Sequence, residues 1–268
     1  MAQPFKITIA GASGRMGRML VKAAHQLPDI KLVAALDGPH SEFLGEDSGL
    51  LAGIGANHIV LQSHFPTEPF DALIDFTTPV ATKVYLEHSS KLGLIHVIGT
   101  TGFQAQDLDL IQSKAESCCI IRSGNMSLGV NLLAALVKKA AQSLDPSFDI
   151  EIVEMHHRMK IDAPSGTALM LGEAAAQGRH IALQDHAVRV RDGETGKRPE
   201  GAIGFATLRG GTVIGDHSVT FAGNGERLVL SHIAEDRSLF AQGALKAALW
   251  GRGKANGLYS MMDVLDLS

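Results

Sequence analysis

Short apolar segments alternate with helix-like segments along the first half of the chain. Strand-like runs lie at residues 6–10, 31–36, 71–76, 94–98 and 118–122. After the first run, apolar residues recur at the spacing of one helix face, and this pattern ends at Pro28. Short strands separated by helices are typical of βαβ units. This half therefore predicts a parallel sheet with right-handed crossovers.

The pattern changes after Asn125. Ser127 begins a long apolar helix, residues 149–155 alternate as a strand does, and Ser165 opens another helix. From Gly201 onward the pattern is typical of a β-meander with glycine turns. Its strands are expected near residues 203–207, 213, 218–221 and 227–232, followed by a helix at 239–250. The chain as a whole predicts an α/β fold with two regions of different character.

Composition is that of a globular enzyme and argues against several other classes. Of the 268 residues, 45% are hydrophobic and 19% are charged, with a formal net charge of −4 and scattered basic residues. A nucleic-acid surface would show a basic patch. We find no signal-peptide pattern and no run of about 18 apolar residues, as a membrane helix needs. Adjacent Cys118 and Cys119 are typical of reduced core residues. We expect a soluble, cytoplasmic protein with neither nucleic-acid nor membrane partners.

A glycine-rich segment joins the first strand to the first helix. It reads Gly11-Ala12-Ser13-Gly14-Arg15-Met16-Gly17. Glycines at such a junction permit a tight turn and a close approach of the backbone to a pyrophosphate, which the helix N-terminus attracts. The spacing GxxGxxG differs from the commoner GxGxxG, and a simple glycine turn is the alternative. The segment predicts a dinucleotide-binding loop.

Asp37 supports that prediction and indicates which cofactor is preferred. It ends the second strand, twenty residues after Gly17, where an acidic side chain accepts hydrogen bonds from the adenine ribose hydroxyls. Its charge would repel the 2′-phosphate of NADPH. Gly38 and Pro39 supply no cation, although Arg15 could. We expect NADH, NADPH or both as cofactor, with a preference for NADH.

Residues 154–168 hold the densest group of reactive side chains. Neighbours on a strand point to opposite faces, so His156 and His157 need not act together. A histidine can donate a proton near neutral pH, and Lys160 can neutralise or protonate an anion. The following Pro-Ser-Gly-Thr sequence opens a helix whose first N–H groups suit a carboxylate. The group favours reduction of a carboxylated substrate. A zinc site lacks a third ligand at convincing spacing, and a solvated surface cluster is the other alternative.

Six segments resemble those of the 4-hydroxy-tetrahydrodipicolinate reductase (dihydrodipicolinate reductase) family, nearly end to end. They are GASGRMGR from Gly11, IDFTTP from Ile74, VIGTTGF from Val97, SGNMSLGVN from Ser123, EMHHRMKIDAPSGTA from Glu154 and IGFATLRGG from Ile203. The segment from Glu154 is specific to the family, whereas the glycine loop is not.

The resemblance implies a two-domain subunit that assembles into a homotetramer. Residues 1–127 and 237–268 would form a Rossmann domain that binds the dinucleotide. Residues 128–236 would form an α/β substrate-binding and oligomerisation domain with a mixed open sheet. The implied reaction is NAD(P)H-dependent reduction of 4-hydroxy-tetrahydrodipicolinate, via dihydrodipicolinate, to tetrahydrodipicolinate in lysine and diaminopimelate biosynthesis. The substrate is thus a cyclic dicarboxylate.

The same resemblance implies roles for single residues. His156 resembles the family's general acid, and Lys160 resembles a second proton donor that also contacts substrate. His157, Gly166 and Thr167 resemble its other substrate-binding residues. The implied cofactor-binding residues are Gly11, Ala12, Ser13, Gly14, Arg15, Met16, Asp37, Gly99, Thr100, Thr101, Ser123, Gly124, Asn125 and Met126. No metal is expected.

Three departures from the family pattern stand out. Met159 replaces a histidine of many members, and Thr78 and Gly38 replace arginines of some members, the latter in agreement with a preference for NADH. Two alternative functions are another NAD(P)-dependent dehydrogenase of a carboxylated molecule and a non-catalytic NADH-sensing protein. The sensor would need neither His156 nor Lys160. The strands near 203–232 could cover the protein's own helices or pair sheets between subunits.

Overall fold

A computed structural model describes residues 3–267 as two compact units. One unit comprises residues 3–127 and 238–266, and the other comprises residues 128–237 and Leu267. The strands are β1 (Phe5–Ala10), β2 (Ile30–Leu36), β3 (Leu61–Gln62), β4 (Ala72–Asp75), β5 (Ile95–Ile98), β6 (Cys119–Arg122), β7 (Asp149–His156), β8 (Ala187–Val188), β9 (Ile203–Arg209), β10 (Gly215–Ala222), β11 (Arg227–Ala234) and β12 (Gly257–Tyr259). The helices are α1 (Arg15–His25), α2 (Ser48–Leu51), α3 (Pro79–Leu92), α4 (Ala105–Lys114), α5 (Leu128–Ser143), α6 (Gly166–Arg179), α7 (Leu183–His186), α8 (Ser238–Trp250) and α9 (Met261–Val264).

The first unit contains a seven-stranded sheet within the described part of the chain. Its strand order is β12-β6-β5-β4-β1-β2-β3, and each neighbouring pair is parallel. The order reverses between β1 and β4, which is the switch point at which doubly wound sheets bind ligands beyond their carboxyl ends. The predicted Rossmann-type parallel sheet is confirmed.

Helices on both faces explain why the central strands of this sheet are largely apolar. Ile7 and Ile9 of β1, Leu73 and Ile74 of β4, and Val97 of β5 have no exposed surface. In a sheet covered on one face only, alternate residues would be polar. The continuous apolar runs in the sequence therefore correspond to strands buried on both sides.

The last part of the chain returns to the first unit and extends its sheet. β12 pairs with β6 in parallel, with Leu258 opposite Ile120. α8 packs against α1, and Gly243 of α8 lies so close to the carbonyl oxygen of Met126 that a side chain could not fit there. The sequence predicted α8, but it predicted neither β12 nor the two-residue β3.

The second unit contains a mixed sheet of five strands among the described residues. Their order is β11-β10-β7-β9-β8, where β10 is antiparallel to both neighbours while β7, β9 and β8 run parallel. The mixed sheet is confirmed, but the expected meander is wrong. β9 does not pair with β10, because β7 lies between them. Only β10 and β11 form a hairpin, around the turn that contains Asn224.

One face of this sheet is buried and the other is open in the monomer. The buried face packs on α5 and α6 and carries Ile152, Phe205 and Val219. The opposite face has four large apolar side chains that are more than a third exposed: Val153, Leu208, Val229 and Ile233. Within residues 3–267, we find no helix long and apolar enough to span a bilayer.

Candidate active site

The glycine loop between β1 and α1 is a tight turn that has no room for a side chain at Gly11 or Gly17. Gly11 has a φ of +69°, and a β-carbon there would lie 2.9 Å from the side chain of Thr77. A β-carbon on Gly17 would collide with the carbonyl oxygen of Gly11 and the backbone of Ala12. Gly14 is the N-cap of α1 and offers no side-chain cap, so backbone N–H groups form this helix end. These features fit a bound dinucleotide.

Asp37 follows β2 at the same edge of the sheet. Its two carboxylate oxygens accept hydrogen bonds from the backbone N–H of Gly38 at 2.8 Å and from the hydroxyl of Ser41 at 3.3 Å. These contacts orient a half-buried carboxylate directly beyond the strand end. A β-carbon on Gly38 would meet nothing within 4 Å, so the space beside Asp37 is open.

Asp75 connects two further loops at this edge. Its Oδ1 atom accepts hydrogen bonds from the Thr77 backbone N–H at 3.0 Å, the Thr77 hydroxyl at 2.6 Å and the Thr100 hydroxyl at 3.2 Å. The hydroxyl of Thr100 in turn accepts from the Thr77 N–H at 2.9 Å. Asp75 therefore fixes the loops that follow β4 and β5. Burial raises the pKa of Asp75, but the neighbouring His96, whose Nε2 atom lies 3.6 Å from Asp75 Oδ2, and the hydrogen bond from Thr77 outweigh it and leave the pKa below its ordinary value.

The loop after β6 is held by its own side chains. The Ser123 hydroxyl donates to the carbonyl of Asn125 at 2.8 Å, and the Asn125 side-chain oxygen accepts from the Ser127 N–H, also at 2.8 Å. Met126 is buried, with its carbonyl oxygen against α8. Gly124 has open space where its β-carbon would lie. The sequence-predicted cofactor residues thus lie at the carboxyl ends of β1, β2, β5 and β6, in the loops that follow these strands and, for Arg15 and Met16, in the first turn of α1.

The second unit contains a buried polar group that we call the acid cluster, comprising Glu154, His156, Ser165, Arg209 and His217. Glu154 Oε2 lies 2.6 Å from His156 Nδ1, and Glu154 Oε1 accepts the Ser165 backbone N–H at 3.0 Å. Arg209 donates to both carboxylate oxygens, at 2.8 and 3.0 Å. His217 Nε2 lies 3.0 Å from the Ser165 hydroxyl. Three strands and the start of one helix thus meet in one hydrogen-bonded group: β7, β9 and β10 supply side chains, and α6 begins there.

Burial and the charge of Glu154 shift the pKa of His156 in opposite directions. Burial lowers the pKa of His156, Glu154 raises it, and Lys160 and Arg209 lower it, so the pKa lies below the ordinary value of histidine. Burial also raises the pKa of Glu154, but hydrogen bonds from Arg209, His156 and Ser165 outweigh it, and this carboxyl is ionised. Burial and the neighbouring His156 lower the pKa of His217 to about 4. At neutral pH His217 is therefore an uncharged neighbour of His156.

The start of α6 lies beside this cluster. Ser165 is its N-cap, and its hydroxyl accepts the N–H of Ala168 at 3.1 Å. Gly166 and Thr167 are the first two residues of the helix, where backbone N–H groups lack acceptors within the helix. Glu154 therefore contacts both His156 and the residue that caps the candidate carboxylate site.

His157 and Lys160 belong to the turn that follows β7. His157 Nε2 lies 3.2 Å from a guanidinium nitrogen of Arg237, and the Lys160 N–H donates to the His157 carbonyl. The Lys160 ammonium pairs with Asp162 at 2.8 Å. Met159 is 77% exposed, which suits a position that tolerates change.

Sequence reasoning missed several residues of these sites. His217 was not singled out, and Glu154, Asp75 and Arg209 were quoted in motifs without a role. Thr78, left uninterpreted, is the N-cap of α3, where its hydroxyl accepts the Ala81 N–H at 3.3 Å. A signal for Glu154 existed, because residues two apart on a strand share a face.

No group of histidine, cysteine, aspartate and glutamate side chains in residues 3–267 has the geometry of a metal site.

Sequence comparison with known proteins covers nearly the whole chain. The family model described as dihydrodipicolinate reductase, N-terminus, matches residues 5–126, and that described as its C-terminus matches residues 129–265. A 4-hydroxy-tetrahydrodipicolinate reductase of Rhodopseudomonas palustris (strain BisB5) is 57% identical over 265 residues, 98% of each chain. One of Brucella abortus (strain 2308) is 56% identical over 266 residues, 98% of this chain and 99% of that protein.

Solved structures agree with these matches. Dipicolinate-bound dihydrodipicolinate reductase from Paenisporosarcina sp. TG-14 has a TM-score of 0.76 and 25% identity, covering 97% of this chain and 99% of that one. An amine dehydrogenase from Mycobacterium smegmatis has a TM-score of 0.60 at 10% identity, over 97% and 95% of the two chains. The second likeness shows a shared fold alone.

Proposed function

The chain belongs to the dihydrodipicolinate reductase family, and on that premise we propose that His156 is the general acid of its reaction. The family consists of NAD(P)H-dependent reductases. This chain is accordingly an enzyme that reduces 4-hydroxy-tetrahydrodipicolinate, via dihydrodipicolinate, to tetrahydrodipicolinate in lysine and diaminopimelate biosynthesis.

The observation that carries the assignment is the place of His156 in the acid cluster. The ring is largely buried, its Nδ1 atom is bonded to Glu154, and Glu154 also binds the N-cap of α6. A proton donor is therefore held next to a helix start suited to a substrate carboxylate. Glu154 thus connects the proposed acid with the proposed anion site.

The residues of the second unit divide the work of the reaction. The backbone N–H groups of Gly166 and Thr167 bind one carboxylate, while Lys160, released from Asp162, and His157 bind the other end of the substrate. A bound NADH or NADPH supplies the hydride. One hydride and one proton saturate one double bond, so His156 donates its Nε2 proton to the ring carbon that gains negative character, and Lys160 is the alternative donor of that proton. Burial of His156 limits competing proton exchange with water.

We assign cofactor binding to residues 1–127 and 237–268 and substrate binding to residues 128–236. Gly11 to Met16 would hold the pyrophosphate and Asp37 the adenine ribose, with residues 99–101 and 123–126 on the nicotinamide side. The anionic Asp37 beside an open Gly38 favours NADH over NADPH, because no side chain at position 38 can neutralise a 2′-phosphate.

We further propose a homotetramer located in the cytoplasm. The open face of the second unit's sheet carries Val153, Leu208, Val229 and Ile233, an apolar surface that a second copy of the sheet would bury. The cytoplasmic location agrees with two buried free thiols, Cys118 and Cys119, in the described residues.

NADH oxidation in a coupled assay tests this function. The preceding synthase would supply its product, and the absorbance loss of NADH would be followed with and without the synthase. We expect oxidation only when the synthase is active. Oxidation that does not depend on the synthase, or none with it, would contradict the assignment and favour another dehydrogenase or a binding protein.

A further inference from the structure

Glu154 makes four hydrogen bonds with only two carboxylate oxygens. Oε2 contacts His156 Nδ1 and an Arg209 nitrogen, and Oε1 contacts the Ser165 N–H and the other Arg209 nitrogen. The side chain is 1% exposed. Arg209 also donates to the carbonyl of Asp162 at 2.6 Å, so it is itself anchored to the loop before α6. A carboxylate with this number of contacts has one position and one charge state at neutral pH.

The contact to Nδ1 determines which ring nitrogen of His156 carries a proton. An ionised carboxylate accepts only, so Nδ1 must be the donor in both charge states of the ring. The exchangeable proton then resides on Nε2. This nitrogen lies on the side of Gly215, where the absence of a side chain leaves it uncovered. The acid function of His156 is thereby confined to one nitrogen.

We propose that Glu154, clamped by Arg209, is the positioning residue of this enzyme: it fixes the tautomer of His156 and couples that ring to the N-cap of α6. The proposal rests on the proposed role of His156 as the acid. Glu154 contacts neither substrate nor cofactor in this scheme. Its two oxygens connect the proton donor and the carboxylate-binding helix start, so both keep one relative geometry.

The charges around His156 predict opposite effects for the two partners. Glu154 on β7 is the anion, whereas Arg209 on β9 and Lys160 in the following turn are cations. His217 on β10 is uncharged at neutral pH, and His232 on β11 lies beyond it. Loss of the Glu154 charge therefore lowers the pKa of His156, and loss of the Arg209 charge raises it.

Two variants, Glu154→Gln and Arg209→Gln, test the proposal through pH profiles and NMR. For Glu154→Gln we expect kcat to fall by about 10²-fold, as for a displaced general acid, with little change in KM or NADH affinity. The high-pH limb of kcat should move to lower pH. Ring ¹⁵N shifts of His156 should move from the Nδ1–H toward the Nε2–H tautomer. For Arg209→Gln the high-pH limb of kcat should move to higher pH.

Glu151→Gln is the matched control. Glu151 lies on the same strand, faces the opposite side of the sheet and pairs with Arg191 and Arg198, at 2.8 and 2.9 Å. The Glu151→Gln variant loses the same kind of ion pair, but the high-pH limb of its kcat and the tautomer of its His156 should stay as in the parent.

The proposal would be overturned if folded Glu154→Gln kept the high-pH limb of kcat and the His156 tautomer of the parent. It would also be overturned if the high-pH limbs of Glu154→Gln and Arg209→Gln moved in the same direction. Circular dichroism verifies folding, and the NMR measurement needs no substrate. If instead the parent enzyme fails the coupled assay, the proposed function fails, while the ring ¹⁵N shifts still decide whether Glu154 fixes the His156 tautomer.

Discussion

Gly215 leaves the Nε2 atom of His156 uncovered, since a β-carbon at this position would lie 3.0 Å from that nitrogen. Gly215 begins β10, the strand that pairs with β7, and it therefore faces the end of β7 that carries the acid. Glycine is found there because its backbone lies close to the His156 ring, and not because the chain turns.

Gly215→Ala should lower kcat by about 10²-fold, because a displacement of the acid by a fraction of an ångström misaligns proton transfer. NADH affinity, measured by fluorescence titration, should be unaffected. The control is Gly210→Ala, whose β-carbon would meet only the flexible end of Met155 at 3.1 Å. Equal activity of both variants would show that space beside Nε2 is not required.

Replacing His156 by glutamine should lower kcat by about 10²–10⁴-fold, the usual contribution of a general acid. Glutamine can still bond to Glu154, so the acid cluster keeps its shape while it loses its titratable group. Stopped-flow assays of NADH oxidation measure the loss, and NADH affinity should stay near that of the parent. Turnover at the parent rate would remove His156 from the mechanism.

The kcat of the parent should fall as pH rises through the pKa of His156. The acid must be protonated to act, and the pKa of this histidine lies below its ordinary value, mainly because the ring is buried. The decline should thus begin on the acidic side of the range in which a free histidine titrates. A pH–rate profile with saturating substrate measures this limb, and a profile that rises through that range would be inconsistent with an acid role.

Gly38→Arg should shift the cofactor preference from NADH toward NADPH. The site has room for the side chain, and a guanidinium beside Asp37 would attract the 2′-phosphate that Asp37 repels. The ratio of kcat/KM values for the two cofactors should change by about tenfold or more, as expected for one charge-assisted contact. Gly38→Ala is the control, with an unchanged ratio. A parent enzyme that already strongly favours NADPH would refute the assigned role of Asp37.

His217 should make the protein less stable in acid. Its pKa in the folded chain is about 4, whereas an unfolded chain binds this proton near pH 6.5. The unfolded state therefore binds more protons between these values, and the free energy of unfolding falls as pH decreases through that window. The loss by pH 4 is on the order of 3 kcal/mol. Urea unfolding at several pH values should show a smaller loss for His217→Gln than for the exposed-site control His40→Gln.

Val229→Asp should dissociate the proposed tetramer. Val229 is 53% exposed on the open sheet face, where an aspartate would place a charge within the interface. Light scattering should give a lower mass for this variant and the parent mass for Val84→Asp, a control on α3 of the other unit that is 63% exposed. A monomeric parent would show that the apolar face has another purpose.

Local patterns predicted the elements that carry the chemistry. The strand, glycine loop and helix from Phe5 to His25 lie where the sequence placed them, and Ser165 caps α6 as its hydroxyl and position indicated. These features depend on residues close together in the chain. The periodicity of β7 held an unused signal for Glu154, because residues two apart on a strand share a face.

The sequence could not predict which strands, distant along the chain, pair with one another. Arg209 and His217 lie 55 and 52 residues from their hydrogen-bond partners Glu154 and Ser165. Their contacts depend on which strands are neighbours. The parallel pairing of β9 with β7 contradicts the order suggested by the glycine turns. β12 has three residues, and its pairing with β6 gives no periodic signal.

The strand β12 also has a consequence for the order in which the chain can become native during synthesis. Residues 128–237 of the second unit are continuous in sequence, so they leave the ribosome before α8 and β12 do. The first unit must wait, because its outermost strand and the helix against α1 are made after these residues. A ribosome-bound chain that ends near residue 237 would therefore hold residues 128–237 of the second unit, while β6 of the first unit would be an unpaired edge.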